Sequence, residues 1–401
     1  MPPVIFRKGL DLQKDQKDAV ATDLAAAYHS SIVDAIQATG YVRTDGRLTV
    51  HLAREFGFCY GVDRAVDYAY QTRRRFPDRT VYLTGEIIHN PQVNDRLRAQ
   101  QIRFLSDPGE DASRLGPDDV VILPAFGVSI SDLAALEHQG CTIVDTTCGS
   151  VLNVWKNVRR YAQDGFTSVI HGKVHHEETR ATASQATRFP DAHYVVVRDD
   201  AEAGLVCDFI RHGGDAAQFV EHFGDAVSPG FDPRRHLERV GCANQTTMLM
   251  SESLRVGEML RAAMIDRYGE AALADHFRAF DTICSATQER QDAVVALLDE
   301  QPLNLAIVVG GYNSSNTCNL ARICAERVPT FHIAEPACLV SADEIRHRPI
   351  GASSTTAVQE TVTRHWLPAG RIVVGLTAGA STPNNIVGEV IERLQALAGD
   401  A

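Results

Sequence analysis

Residues 144–179 read VDTTCGSVLNVWKNVRRYAQDGFTSVIHGKVHHEET, and the fold is decided by how this stretch is parsed. An apolar run ending in Asp145-Thr146-Thr147 brings Cys148 to the mouth of VLNVWKNVRRYA, whose apolar residues recur at helical spacing. A second apolar run, FTSVIHG, follows and delivers His176, Glu177 and Glu178 just beyond its end. Strand, helix and strand in that order make a parallel α/β unit. One soft metal ligand and one acid/base cluster therefore arrive together.

The same alternation runs through the chain. LTVHLA, VYLTGEI, VVILPAF, HYVVVR, LAIVVGG, TFHIAE and RIVVGLTAG read as further strands, and VDRAVDYAYQTRRR, ESLRVGEMLRAAMIDRYG and NIVGEVIERLQALAG as helices between or after them. This predicts an α/β architecture with mostly parallel sheets. Residues 1–48 hold one amphipathic helix, VATDLAAAYHSSIVDAIQATG, ended by Gly40, and read as an N-terminal extension. The polar, Gly/Pro-punctuated stretch at 207–241 reads as an insertion at the surface.

Composition narrows the function classes. A chain of 401 residues, 44% of them hydrophobic, has room for substantial cores. A formal charge of −12 argues against nucleic acid as a partner, because neutralising phosphates needs a concentrated basic surface. The one tight basic run, Arg73-Arg74-Arg75, reads as a solvated helix end. The first residues mix acids and bases without an apolar core, unlike a secretory signal or a typical transit peptide. No window reaches the roughly 18 apolar residues of a membrane span, so no membrane partner is expected and the expected compartment is the cytoplasm. Nine cysteines there are better read as reduced core thiols, metal ligands or nucleophiles than as disulfides.

Three cysteines share a context. Phe56-Gly57-Phe58-Cys59 precedes VDRAVDYAY, Asp145-Thr146-Thr147-Cys148 precedes VLNVWKNV, and Asp281-Thr282-Ile283-Cys284 precedes QERQDAVVALL. The intervals are of domain size once 207–241 is allowed for, which predicts three similar α/β domains, at 49–147, 148–283 and 284–401, in a pseudo-threefold arrangement around a common centre. A thiolate at a helix N-terminus is stabilised by backbone N–H groups and the dipole. Soft thiolates select iron-sulfur clusters, zinc or copper(I). Zinc usually takes close CxxC pairs, absent here, so three distant ligands fit a 4Fe-4S cluster with one iron left open as a Lewis acid. A single such cysteine would ordinarily be a small buried hydrophobe; the recurrence reverses that. Cys141, Cys207, Cys242, Cys318, Cys324 and Cys338 lack the context and read as core.

Around this centre lie groups suited to an oxygen-rich anion. His89 ends Glu86-Ile87-Ile88-His89; Gln245-Thr246-Thr247 follows VGCA; Asn313-Ser314-Ser315-Asn316 and Ala380-Ser381-Thr382 follow strands and open helices. Strand C-terminal ends are where open α/β sheets bind ligands, and helix N-termini hold anions. No Walker lysine or GxGxxG accompanies them, so a diphosphate held by Ser, Asn, Thr and His is the fitting ligand. Singly, each residue has a plainer role as a helix cap or turn former. Glu178, if buried near an anion, becomes a proton donor near neutral pH.

FGFCYGVDRAV, GEIIHNPQV, VDTTCGSVLNVW, IHGKVHHEETRATAS, ANQTTML, DTICSATQERQ, GGYNSSNTCNLA and GLTAGASTPNNIV, in that order over residues 50–395, resemble the LytB/IspH family of 4-hydroxy-3-methylbut-2-enyl diphosphate reductases. The extension, the insertion and the HEET form resemble its longer cyanobacterial and plastid members. The resemblance implies three domains around one 4Fe-4S cluster held by Cys59, Cys148 and Cys284. It further implies diphosphate binding by His89, His176, Ser314, Ser315, Asn316 and Ser381, with Thr246 near the substrate hydroxyl and Glu178 as proton source. The HEET register selects His176 over His175. Shorter members carry a histidine where this chain has Phe126, which removes one diphosphate donor; Ser129 or backbone groups are the expected substitutes. The implied reaction is reductive dehydroxylation to isopentenyl and dimethylallyl diphosphate, the last step of the methylerythritol phosphate pathway, with ferredoxin or flavodoxin supplying electrons and Arg73-Arg75 a possible part of its dock. Two rivals are a redox-neutral hydro-lyase of the aconitase kind, separated by its lack of electron demand, and a cluster-bearing sensor or carrier, which would not need the HHEET, NSSN and AGAST loops.

Overall fold

Thr167–His171 and Val240–Asn244 are buried at every position, as strands of a parallel sheet covered on both faces must be. They form the middle of a four-stranded sheet whose edges are Tyr194–Val197 and Phe277–Ala279, with parallel pairing throughout. A second sheet has Leu305–Val309 between Thr330–Ile333 and Ile372–Ala378, all parallel. Ile372–Ala378 pairs in turn with Leu48–Leu52 in parallel, and Val42–Asp45 closes that edge antiparallel. In a third set Val81–Leu83 lies in parallel between Ile102–Phe104 and Val120–Leu123. The α/β class read from the alternation is thus the class the chain adopts.

This computed structural model describes residues 4–280, 283–352 and 359–399; Asp281 and Thr282 of the third Asp-Thr-X-Cys pattern lie outside the described residues. The chain divides into two compact units. One holds Ala112–Asp118 and Leu123–Cys284 with the N-terminus up to Ile5; the other holds Phe6–Asp111, Asp119–Ile122 and the chain from Ser285 onward. The strand Leu48–Leu52, expected to open a first domain, therefore shares its sheet with the C-terminal segment.

Two segments differ from their reading in sequence. The single helix expected before Gly40 is two, Lys14–Tyr28 and Ser31–Ala38, because His29 is extended (ψ 154°) and Ser30 caps the second helix by accepting from Val33 N at 3.4 Å. That second helix buries Val33 and Ile36 against Ile386, Val387 and Val390, so it belongs to the core. Tyr28 packs on Phe58 with ring centroids 5.5 Å apart, and its hydroxyl accepts from that of Tyr70 at 3.2 Å.

The stretch 207–241, expected as an insertion at the surface, also reaches the core. It forms the end of the helix Asp200–His212, the helix Ala216–Phe223 and the turn Pro233–His236, and it buries Phe219, Phe223, Phe231 and Leu237 in the core of its unit. Its glycines mark turns; the i, i+4 pair Phe219 and Phe223 marks an apolar face that outweighs them. Among the described residues no helix is long and apolar enough to cross a membrane.

His332 shows how fully the strands are covered. Its ring donates from Nε2 to the Gly310 carbonyl at 3.0 Å and meets the Tyr312 ring edge-on at 5.2 Å. Burial pushes its pKa down to about 3. The unfolded chain protonates this ring near pH 6.5, so folded stability falls as pH drops from about 6.5 toward 3. His332→Asn is expected to flatten the dependence of Tm on pH between about 6.5 and 4, at a cost of about 1 kcal/mol at pH 7 for the altered hydrogen bond. An unchanged slope in thermal unfolding would place the acid sensitivity elsewhere.

Candidate functional site

In the unit containing Leu123–Cys284, the chain leaves the strand Thr142–Asp145 through an Asx turn. The Asp145 carboxylate accepts from Thr147 N at 3.0 Å and Thr147 Oγ1 at 2.6 Å, while Thr146 Oγ1 donates to the Leu123 carbonyl at 2.6 Å. This is what Asp-Thr-Thr does for Cys148: it turns an extended chain sharply enough for the next residue to cap a helix. Cys148 stands at the N-cap of Gly149–Gln163, its N–H donating to the Ala125 carbonyl at 3.0 Å, and its side chain makes no capping hydrogen bond.

One residue beyond Ala125, the Phe126 ring meets His176 edge-on with centroids 5.6 Å apart. His176 caps the helix Glu177–Ala186 through Nδ1, which accepts from Glu178 N at 3.2 Å. With Nδ1 an acceptor, the neutral ring carries its proton on Nε2, the atom then able to donate to a ligand. His175, by contrast, is 63% exposed and lies 3.6 Å from Asp225. Glu178 is only 1% exposed. Its carboxylate accepts from Thr246 N at 2.5 Å and from Thr246 Oγ1 at 3.0 Å. Glu178, Thr246, His176 and Cys148 are thus joined through short contacts within one unit. The hydroxyl of Ser129, an expected substitute donor, caps the helix Ile130–Gln139, accepting from Asp132 N at 3.1 Å and donating to the Asp132 carboxylate at 2.7 Å.

The other unit gathers the remaining residues. Cys59 caps Tyr60–Arg75, again without a side-chain capping bond, and its N–H donates to the Ala380 carbonyl at 3.2 Å. Ser381 Oγ donates to the His89 carbonyl at 3.1 Å, and Asn316 Oδ1 accepts from Ala380 N at 2.9 Å. Asn316 Nδ2 is buried and has no hydrogen-bond partner among the described residues, an arrangement costly enough to need a ligand or water. Ser314 caps Ser315–Ala325, its Oγ accepting from Thr317 N at 3.3 Å, and Ser315 is buried beside it. Gly311 lets these loops approach, since a Cβ there would collide with the His89 carbonyl.

Residues not singled out as site residues from the sequence position these groups. Glu86 accepts from the His89 ring at 2.8 Å and from Asn313 Nδ2 at 2.9 Å. Burial alone would raise the Glu86 pKa, but the hydrogen bond and charge of His89 and the Asn313 bond hold it below the usual glutamate value. Gln245 Oε1 accepts from Lys173 N at 3.2 Å and Thr179 Oγ1 at 3.1 Å, tying the loop before His176 to the loop of Thr246. Gly172 permits this, because a Cβ there would sit 2.8 Å from Thr179 Oγ1. Glu86 had a signal, three residues before His89; Gln245 had only its place beside Thr246.

The cysteines sort by environment. Cys59, Cys148 and Cys284 are partly accessible, and so is Cys318, which was expected in the core but donates from Sγ to the Tyr312 carbonyl at 3.5 Å; Cys284 immediately precedes the helix Ser285–Glu300. Cys207, Cys242 and Cys324 are buried, which pushes their thiols up to about 11, 12 and 12 and keeps them neutral. Each unit thus offers an accessible sulfur at a helix N-terminus, Cys59 in one and Cys148 in the other, and a thiolate donor is of the soft type that an iron-sulfur cluster takes.

A family model described as LytB protein matches residues 50–395. A 4-hydroxy-3-methylbut-2-enyl diphosphate reductase of Gloeobacter violaceus is 51% identical, over 98% of this chain and 93% of that protein. One of Synechococcus sp. (strain CC9311) is 49% identical, over 95% and 93%. Among solved structures, an (E)-4-hydroxy-3-methyl-but-2-enyl diphosphate reductase described as the terminal enzyme of the non-mevalonate pathway aligns with a TM-score of 0.52 at 27% identity, covering 86% of this chain and 99% of that one. The E-1-hydroxy-2-methyl-but-2-enyl-4-diphosphate reductase of Plasmodium falciparum aligns with a TM-score of 0.60, 86% of each chain and 20% identity, a likeness of fold.

If Gln245 ties the two loops together, Gln245→Ala should destabilise the unit by about 1–3 kcal/mol, as loss of buried hydrogen bonds does. Urea denaturation measures this, and an unshifted midpoint would mean that the loops hold themselves.

Proposed function

Since the chain belongs to the LytB protein family and is an oxidoreductase of that family, we propose that it carries out the reductive dehydroxylation of (E)-4-hydroxy-3-methylbut-2-enyl diphosphate, the terminal step of the non-mevalonate pathway. Two electrons and two protons remove the allylic hydroxyl as water and leave isopentenyl or dimethylallyl diphosphate. Cys59, Cys148 and Cys284 are the proposed ligands of one 4Fe-4S cluster. When bound, the cluster supplies the route for electrons and a Lewis-acid corner for the hydroxyl.

The observation that carries the reading is the buried Glu178 carboxyl held by both donors of Thr246. A carboxyl fixed at two atoms is positioned to pass one proton to one oxygen, and it is protected from bulk water by its burial. Glu178 is therefore the proton source for the departing hydroxyl, and Thr246 aims it. Donors for the diphosphate are His176 Nε2, His89, Ser314, Ser315, Asn316 and Ser381. The partnerless Asn316 Nδ2 gains a phosphate oxygen in this role, and the N-terminus of Ser315–Ala325 adds backbone N–H groups. Phe126 donates nothing to phosphate; its ring packs against that of His176. Delivery of a proton to either end of the resulting allylic fragment accounts for two products. A small carrier, ferredoxin or flavodoxin, supplies the electrons.

Anaerobically prepared protein is expected to show the broad brown absorption of a 4Fe-4S cluster and to lose it in Cys148→Ser; normal iron in that variant would remove the ligand assignment. Glu178→Gln should retain the cluster and lose at least about 100-fold in turnover with reduced methyl viologen, the scale of general acid catalysis. Substrate-dependent oxidation of methyl viologen, with both products identified, tests the reaction itself.

A further inference from the structure

The helix Gly149–Gln163, which Cys148 caps, carries Lys156, Arg159 and Arg160 and no acidic residue, in a chain of formal charge −12. Its buried face is Val151, Val154, Trp155, Val158 and Tyr161. Its outer face exposes Leu152, Lys156 and Arg160 at intervals of four, one stripe of the helix surface. Neither Lys156 nor Arg160 forms an ion pair among the described residues. The Arg160 guanidinium instead lies over the ring of exposed Phe280, 4.7 Å from its centroid, and Phe280 stacks on Tyr161 at 6.0 Å. The stripe is thus apolar at Leu152, basic at Lys156 and Arg160, and apolar again at Phe280. At 1.5 Å per residue it begins about 6 Å along the axis from Cys148 and reaches Arg160 about 18 Å from it.

We propose that this stripe is the docking surface for a small acidic electron-carrier protein. The inference rests on the reductase reading above, which requires two electrons from outside the chain. The carrier is oxidised in two one-electron visits and the substrate is reduced: the C–O bond breaks, one proton leaves with the hydroxyl as water, and the other is delivered to a carbon of the allylic fragment. An acidic carrier is repelled by the chain as a whole, so a local basic face steers its approach. Exposed Leu152 and Phe280 supply the apolar contact that such a patch needs at its centre. The capping position of Cys148 puts a proposed cluster ligand at one end of the docked surface. Arg73-Arg74-Arg75 is the rival patch, but it lies at the far end of the helix that Cys59 caps, about 21–24 Å away by helix rise, and Arg74 lies 3.6 Å from Asp23.

The test compares the cluster-loaded protein with its Lys156→Glu/Arg160→Glu variant, using reduced ferredoxin and, separately, reduced methyl viologen. The variant should bind oxidised ferredoxin at least about 10-fold more weakly and show a matching rise in KM for reduced ferredoxin, with the methyl viologen rate unchanged; loss of two contact charges is expected to act mainly on association. Raising ionic strength from about 0.02 to 0.2 M should weaken ferredoxin binding to the unmodified protein and affect the variant little. Unchanged ferredoxin binding in the variant overturns the proposal, as does an equal loss of both rates, or a change in sedimentation showing that the stripe joins two copies of the chain. Failure of the unmodified protein to oxidise methyl viologen with substrate would count against the reductase reading instead.

Discussion

A helix begins with backbone N–H groups that no carbonyl of its own can reach, and this chain places several of its candidate site residues at that point. Cys59, Cys148, His176 and Ser314 are all N-caps, each reached from the region after a strand or a tight turn. They use the position differently. Ser314 Oγ and His176 Nδ1 accept from their own helices, which fixes their orientation. The two cysteines make no such capping bond.

Parallel sheets make this arrangement repeatable. Every strand of such a sheet ends on the same side, and the following loop must turn into a helix within a few residues. In one unit these loops carry Glu178 and Thr246; in the other they carry His89, Ser314, Asn316 and Ser381. The buried polar groups are tolerated because nearly all are held: Glu178 by Thr246, Asn316 Oδ1 by Ala380, the His89 ring by Glu86. Asn316 Nδ2 is one of the exceptions among the described residues, and an unmatched buried donor in a loop that opens a helix is suited to an anion.

Charge is distributed with the same economy. The chain is acidic overall, yet the helix behind Cys148 is wholly basic among its charged residues. Neutral thiols fill the cores at Cys207, Cys242 and Cys324, where burial disfavours ionisation, while the sulfurs at helix mouths remain partly accessible. One residue type thus serves as a hydrophobe in one place and as a ligand candidate in another, and the surroundings decide which.

The sequence by itself determined the α/β class, because strands such as LAIVV and helices such as VLNVWKNVRRYA are written in local periodicity. It also singled out Cys148, His176, Glu178, Ser314, Asn316 and Ser381, since each sits in a short motif at a strand end. Local patterns did not show that residues 1–48 form two helices that enter the core, or that Phe219, Phe223 and Phe231 bury a stretch that reads as loop. Nor did they show that Ser129 serves its own helix. Those outcomes, like the clasp of Thr246 on Glu178 and the hold of Glu86 on His89, depend on partners distant in the chain or on which of several polar atoms ends up buried. Only the packed tertiary structure decides that, because a side chain's hydrogen bonds are chosen by what is left within reach once water has been excluded.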